Sequence, residues 1–226
     1  MFERFELLIG DKINSIKNKN IILLGLGGVG STCLLSLIRC GIENITIVDY
    51  DKVDITNLNR QIIAFRSNIG KYKTDVCESF IKDINPDVKV KKITRKIDSN
   101  NINYIIDNYD YIIDCIDDIK VKCELISIAS KKDIRLISSM GTGNKMNPSK
   151  LKITDLSKTS YDPIARILRK YVKDNRLNKK VMVVCSDEEK YTKINKPIPS
   201  NSFVPTTAGL LITSYVINDI VGEKNV

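Results

Sequence analysis

The sequence predicts an α/β protein built on a doubly wound sheet, parallel in its N-terminal half and mixed or antiparallel in its C-terminal half. Three observations lead there. Short apolar runs recur from residue 21 onward, and each is followed by a helix-like segment. The first run is joined to its helix by a glycine-rich turn. After residue 140 the regular alternation ends, and strands are set off by turns and a single helix. Alternating strands and helices build βαβ units, and these form a parallel sheet.

Residues 6–16 read as a short helix. Residues 21–24 have no polar break, as in a strand buried on both faces. Gly25, Gly27 and Gly30 follow in the pattern G-x-G-x-x-G, and 32–38 read as a helix. In that setting the first glycine allows the tight turn, the second lets backbone approach a phosphate, and the third lets helix pack on strand. The helix N-terminus adds free N–H groups and a partial positive charge. Residues 45–48 form the next strand and lead into Asp49, about 20 residues past Gly30, where a carboxylate accepts from ribose hydroxyls. A glycine turn that merely packs is the alternative; strand, helix and acid together favour a Rossmann-like nucleotide site.

Residues 71–84 are helical, with Val76, Phe80, Ile81 and Ile84 near one face and Asn85-Pro86 as the stop. Residues 88–93 alternate apolar and basic, as in a half-exposed outer strand. A short helix at 102–107 precedes a buried strand at 111–115, which leads to Asp117-Asp118. A helix at 121–130 and a strand at 134–138 follow. In the second half we expect strands at 151–156 and 181–185, and a helix opened by Asp162-Pro163, acid as N-cap and Pro at the first position. Residues 186–202 are polar and proline-bearing and are expected to be a mobile loop. Residues 208–221 form a closing apolar helix. No linker or repeat interrupts the chain. It reads as one domain, 1–226, with a nucleotide-binding half at about 21–140 and a second half at 141–226.

With 226 residues, 42% hydrophobic and 28% charged, the chain can bury one substantial core. No apolar run approaches the roughly 20 residues of a membrane span. The N-terminus Met1-Phe-Glu-Arg-Phe-Glu6 lacks the regions of a signal peptide. We therefore expect a cytoplasmic protein with no membrane partner. Lys and Arg number 36 against 27 Asp and Glu, and the net charge of +9 suits an anionic partner, nucleic acid above all. A lysine-rich solvated surface accounts for it equally well. None of the six cysteines forms a C-x-x-C pair, so no structural zinc is expected, and Cys33, Cys77, Cys115 and Cys123 read as core residues. Histidine is absent, which excludes a Ser-His-Asp or Cys-His pair and any His-ligated metal. Chemistry must rest on carboxylates, Lys, Arg, Cys, or bound substrate and metal.

In open α/β sheets ligands bind beyond the carboxyl ends of the strands. After Asp49 come Asp51, Asn57, Asn59, Arg60 and Gln61, then Lys73; after the 111–115 strand comes Asp117. A nucleoside triphosphate carries about four negative charges and needs cations and a metal, and a metal needs a carboxylate. Arg60 and Lys73 supply cations and Asp117 a carboxylate, which favours ATP over a dinucleotide.

At these residues the chain resembles a known family. Gly25-x-Gly-Gly-Val-Gly-Ser31, Asp49-x-Asp51, Asn57-Leu-Asn-Arg-Gln61, Gly70-x-x-Lys73 and Asp114-Cys-Ile-Asp117 are similar to the adenylating domain of the ubiquitin-activating-enzyme superfamily. Its bacterial members activate a carboxylate as an acyl-adenylate. The resemblance implies that Gly25, Gly27, Gly28, Gly30, Asp49, Asp51, Asn57, Arg60, Gln61 and Lys73 bind the nucleotide. Within that set Asp49 meets ribose, and Asn57, Arg60 and Lys73 meet phosphates. Asp117 holds magnesium, and Arg60, Lys73 and Asp117 carry catalysis. It also implies a homodimer, in which Arg4 could serve a neighbouring subunit.

The segments 140–148, 153–159, 162–166 and 202–209 look like the branch that dehydrates threonylcarbamoyladenosine, next to the anticodon of tRNA, to its cyclic form. That implies ATP-dependent adenylation of the threonyl carboxylate, then intramolecular ring closure and release of AMP. The nucleophile lies in the substrate, which agrees with the absence of histidine. The alternative is an adenylating activator of a ubiquitin-like sulfur carrier; such relatives often carry paired zinc cysteines, lacking here. Cys185 lies near where thioester-forming relatives place theirs, yet no base accompanies it, and Asp187, Glu188 and Glu189 disfavour a thiolate. A tRNA partner would meet basic residues of the second half: Lys145, Lys150, Lys158, and a stripe of Arg166, Arg169, Lys170 and Lys173 at helical spacing.

Overall fold

A computed structural model describes residues 1–177, 180–194 and 196–222. The chain opens with α1 (Glu3–Ile9), a 3-10 turn and α2 (Ile13–Lys17). The single helix expected at 6–16 is broken at Gly10, whose φ of 62° ends the first segment. Then come β1 (Asn20–Leu24), α3 (Gly28–Arg39), β2 (Asn44–Val48), α4 (Lys73–Ile84), β3 (Lys89–Ile93), α5 (Ile102–Ile105), β4 (Tyr111–Asp114), α6 (Ile119–Lys132) and β5 (Arg135–Ser139). The second half contributes β6 (Leu151–Asp155), α7 (Pro163–Asp174), β7 (Met182–Ser186) and α8 (Phe203–Val221).

The strands form one seven-stranded sheet in the order β3-β2-β1-β4-β5-β7-β6. All neighbours are parallel except β6 and β7, which are antiparallel. The fold class read from sequence is the one observed. Leu24 lies opposite both Val48 and Asp114, so β1, β2 and β4 end level. That register brings Gly25, Asp49 and Cys115 together at one edge.

Alternating side chains of β1 serve opposite layers, as period-two geometry requires. Ile21 and Leu23 pack with α3, α4 and α8, while Ile22 and Leu24 pack with α5 and α6. A third cluster joins α6, α7 and β7. α3 starts at Gly28 rather than 32, because the glycine turn itself forms the first helical turn. α8 starts at Phe203 rather than 208; Pro205 sits in its first turn, where no intrahelical N–H is needed. By length and composition alone α8 is long and apolar enough to cross a membrane, a test that the core helix of a folded domain also meets. Here Val204, Ala208, Ile212, Val216 and Ile217 bury it in the main core.

The 186–202 segment, expected to be mobile, is tied down. The Asn144 amide donates to the Thr192 and Ile194 carbonyls at 2.8 and 3.2 Å. The Glu188 carboxylate accepts the Met146 and Asn147 N–H groups at 2.9 Å. Residue 195 lies outside the described residues.

Candidate nucleotide-binding and catalytic site

A cleft of about 660 Å³ opens where the parallel strands end. Its floor is the glycine turn. Gly25 has φ 87°, and a Cβ there would come within 2.8 Å of the Cys115 carbonyl oxygen. At Gly30 a Cβ would lie 1.8 Å from the Gly25 carbonyl oxygen, so no side chain lets α3 approach β1 this closely. Gly27 is the extended N-cap of α3 and, with Gly28, lines the cleft.

Asp49 follows β2 and holds the turn in place. Its Oδ2 accepts the Leu26 N–H at 2.7 Å and its Oδ1 accepts the Asp51 N–H at 2.8 Å. Burial pushes this carboxyl above its ordinary range despite the nearby Lys73 ammonium and both N–H donors. Each oxygen keeps a second lone pair for a hydroxyl donor. The chain then leaves the sheet and returns at α4, where the buried Lys73 ammonium meets the Asp51 carboxylate at 2.8 Å.

The excursion between them carries the polar cluster. Asp54 and Asn57 form a reciprocal cap: Asn57 Oδ1 accepts the Asp54 N–H at 3.1 Å, and Asp54 Oδ1 accepts the Thr56 N–H at 2.8 Å. Arg60 Nη1 donates to the Thr56 carbonyl at 2.8 Å and to Asn59 Oδ1 at 3.0 Å, which fixes the guanidinium at the cleft wall. Gln61 is buried there, and its Oε1 has no hydrogen-bond partner among the described residues. A buried acceptor without a donor is rare in proteins.

Asp117 stands at the mouth of α6. The capping role falls to Asp118, whose Oδ1 accepts the Lys120 and Val121 N–H groups at 2.9 and 3.3 Å. Asp117 is thus left exposed on the cleft. Among the described residues no group of three or more metal-type side chains occurs. One carboxylate still suits magnesium, which keeps several waters and takes the rest of its shell from phosphate oxygens.

All the sequence-selected residues Gly25, Gly27, Gly28, Asp49, Asp51, Asn57, Arg60, Gln61, Lys73 and Asp117 line this one cleft; Gly30 lies behind it as packing. Sequence reading missed Arg95 and Lys96, which follow β3, and the wall formed by Gly141, Thr142 and Gly143. Asp162 holds that wall: its Oδ2 accepts the Gly141 N–H at 3.0 Å while its Oδ1 caps α7 through the Ala165 N–H at 2.8 Å. The reading also missed a buried pair beneath the cleft. Lys122 Nζ reaches Asp114 Oδ2 at 2.9 Å, Ser138 Oγ at 3.1 Å and the Ser139 carbonyl at 2.9 Å. A lysine between Val121 and Cys123 on a helix face bound for the core was the available signal.

Cys33, Cys77 and Cys123 are buried as expected, whereas Cys115 also borders the cleft. Cys185 is 1% exposed, outside the cleft, and burial pushes its thiol up to about 11. Arg4 does not line the cleft of its own chain. Lys145 is buried and donates to the Glu188 carbonyl, so it is no surface cation.

The sequence profile of the ThiF family matches residues 3–209. A tRNA threonylcarbamoyladenosine dehydratase from Bacillus subtilis (strain 168) is 38% identical over 241 residues, covering 98% of this chain and 95% of that protein. The crystal structure of E. coli tRNA N6-threonylcarbamoyladenosine dehydratase, TcdA, in complex with ATP has a TM-score of 0.91 at 31% identity, covering 98% of this chain and 93% of that one. The complex of the same enzyme with AMP gives a TM-score of 0.91 at 31% identity, covering 98% and 94%. The profile runs from α1 into α8 and so takes in every strand that ends at the cleft: the chain belongs to the ThiF family.

Proposed function

We propose that the protein is an ATP-dependent tRNA threonylcarbamoyladenosine dehydratase. The likeness that carries this reading is the 38% identity to a dehydratase over nearly the full length of both chains. ATP and AMP complexes of a 31% identical neighbour support adenylation. In the reaction, a threonyl carboxylate oxygen attacks the α-phosphorus of ATP and pyrophosphate leaves. The carbamoyl group of the same nucleoside then attacks the acyl carbon; the ring closes, its proton is lost and AMP leaves. Proximity drives the second step, because both partners sit on one nucleoside.

The residues take these roles. Asp49 receives the ribose hydroxyls on its free lone pairs. Gly25, Gly27, Gly28 and the start of α3 cradle phosphates, with Gly30 allowing the close packing. Asn57, Arg60 and Lys73 face the phosphates, and Asp51 holds Lys73 until they arrive. Arg60 has one nitrogen braced by Thr56 and Asn59, so its remaining N–H groups are preorganised for an anion. Gln61 Oε1 accepts a donor from the nucleotide. Asp117 would hold magnesium, which supplies neutralising charge on the phosphates. Loss of Arg60 or Lys73 to Ala lowers turnover by roughly 2–4 kcal/mol, about 30- to 1000-fold, with little change in stability.

The whole chain acts as one adenylating domain, with about 21–140 as the nucleotide half and 141–226 as the substrate and dimer half. It works as a homodimer in the cytoplasm, where its tRNA is found. Buried Cys185, with its raised pKa, supports ring closure over thioester transfer to a sulfur carrier. The test is mass spectrometry of nucleosides from threonylcarbamoylated tRNA after incubation with protein, ATP and magnesium. Loss of one water from the modified nucleoside is expected. An unchanged nucleoside, with pyrophosphate released only when a sulfur carrier is added, would sink the reading.

A further inference from the structure

A second concavity, of about 880 Å³, lies between α7 and the turn that follows β6. Val181, just before β7, lines it, whereas the nucleotide cleft takes Ser139 and Met140 at the far end of β5. β5 and β7 run parallel, so the two openings sit at opposite ends of the sheet. In register Ser139 lies level with Val184, three residues beyond Val181, so the two openings are roughly 10–13 Å apart along the strands.

Four cations line this groove: Arg169, Lys173, Arg176 and Lys180. The acid beside them, Asp155, already accepts the Ser157 N–H at 2.8 Å as a cap. Among the described residues none of the four cations is in an ion pair. Several cations elsewhere on the surface do have acidic partners: Lys92 has Asp75 and Glu78 at 2.7 Å, Lys132 has Asp107 at 2.7 Å, and Lys152 has Asp187 at 2.5 Å. The Arg169 guanidinium is braced on the Thr159 carbonyl at 3.0 Å and is therefore held in position. The basic stripe read along the helix is accordingly split. Arg169 and Lys173 turn into the groove with Arg176 and Lys180 from beyond the helix, while Arg166 and Lys170 lie outside it.

Unpaired cations gathered in one concave wall repel each other and attract an anion. Their number and the size of the groove exceed what one phosphate group occupies, and suit a run of phosphodiesters. We propose that this groove docks the phosphate backbone of the substrate tRNA, on a stretch remote from the reacting nucleoside. The proposal rests on the tRNA reading above. A nucleic-acid backbone, with phosphates every few ångströms, spans the distance between cleft and groove.

The test compares two triple variants. Lys173→Gln/Arg176→Gln/Lys180→Gln removes three of the four groove cations and leaves Arg169, which donates to the Thr159 carbonyl. Lys89→Gln/Lys91→Gln/Lys131→Gln removes the same charge from exposed positions elsewhere. Unmodified tRNA binding is followed by fluorescence anisotropy between about 50 and 200 mM salt. Each duplex phosphate that the protein no longer neutralises should flatten the slope of log affinity against log salt by about 0.9, so the groove variant should drop roughly 2–3. The KM for tRNA should rise roughly tenfold while kcat changes less than about twofold, since a docking interaction is shared by ground and transition states. The single reversal Lys180→Glu should act in the same direction. An unchanged slope and KM in the groove triple would overturn the proposal. So would an equal effect in the second triple, or inorganic pyrophosphate bound by the wild type but not by the groove triple with the tRNA slope unchanged. If the wild type forms no cyclic nucleoside and the groove triple still flattens the slope, the groove stands and the activity falls.

Discussion

Asp117 and Asp118 are adjacent acids with separate work, and substitution should tell them apart. Asp118 caps α6 and Asp117 does not. Asp117→Asn should abolish ATP–pyrophosphate exchange and shift Tm by less than about 2 °C. Asp118→Ala should keep exchange and lose about 1 kcal/mol of stability, the usual worth of an N-cap. Normal exchange in Asp117→Asn would remove the metal role. Cys185 gives a prediction with a sign. Burial raises its thiol to about 11, so thiolate forms only as pH climbs towards that value and is scarce at neutrality. Iodoacetamide should leave Cys185 unlabelled in the native protein near pH 8 and label it on unfolding, as peptide mapping would read. Cys185→Ser should retain cyclisation; a thioester trapped on Cys185 would restore the carrier reading.

At the scale of elements, the strand ends are joined by polar bonds that hydropathy patterns do not reveal. Lys122 on α6 links Asp114 of β4 to Ser138 and Ser139 of β5, and Asp114 Oδ1 also accepts the Ile116 N–H at 3.2 Å in the turn that leads to Asp117. Lys122→Met would leave the Asp114 charge buried and unpaired, a loss of roughly 3–5 kcal/mol by urea denaturation. Adding Asp114→Leu to that variant should recover most of it, because an apolar pair needs no partner. If the double variant is as unstable as the single one, the damage lies in packing and not in the orphaned charge. The strands and most helices were legible because period and turn residues are local. The tied 186–202 segment was not, because its anchors Asn144 and Glu188 lie more than forty residues from their partners in several cases.

For the molecule as a whole, the N-terminal helix is the least explained surface of a single chain. Leu7 and Leu8 of α1 are 84% and 78% exposed. We propose that in the homodimer they lie at a subunit contact, near Arg4, which by the resemblance could serve a neighbouring subunit. Sedimentation should give a dimer at micromolar concentration, and Leu7→Glu with Leu8→Glu should shift it to monomer while leaving the circular dichroism spectrum unchanged. A dimer that survives that variant would place the contact elsewhere.

The amino-acid sequence by itself determined the parallel sheet, the glycine turn and the polar residues from Asp49 to Lys73, with Asp117, that line the cleft. Each depends on short-range chemistry: unbroken apolar runs, glycines that a Cβ would block, and acids set just past strand ends. The full-length likeness to a dehydratase was likewise written in contiguous motifs. Tertiary structure alone decided three things: that Asp118 and not Asp117 caps α6, that Lys122 lies buried against Asp114, and that Arg176 and Lys180 join Arg169 and Lys173 in one groove. Those outcomes depend on where side chains far apart in the chain meet, and on which partner each charge finds once water is excluded. Local spacing carries no information on either.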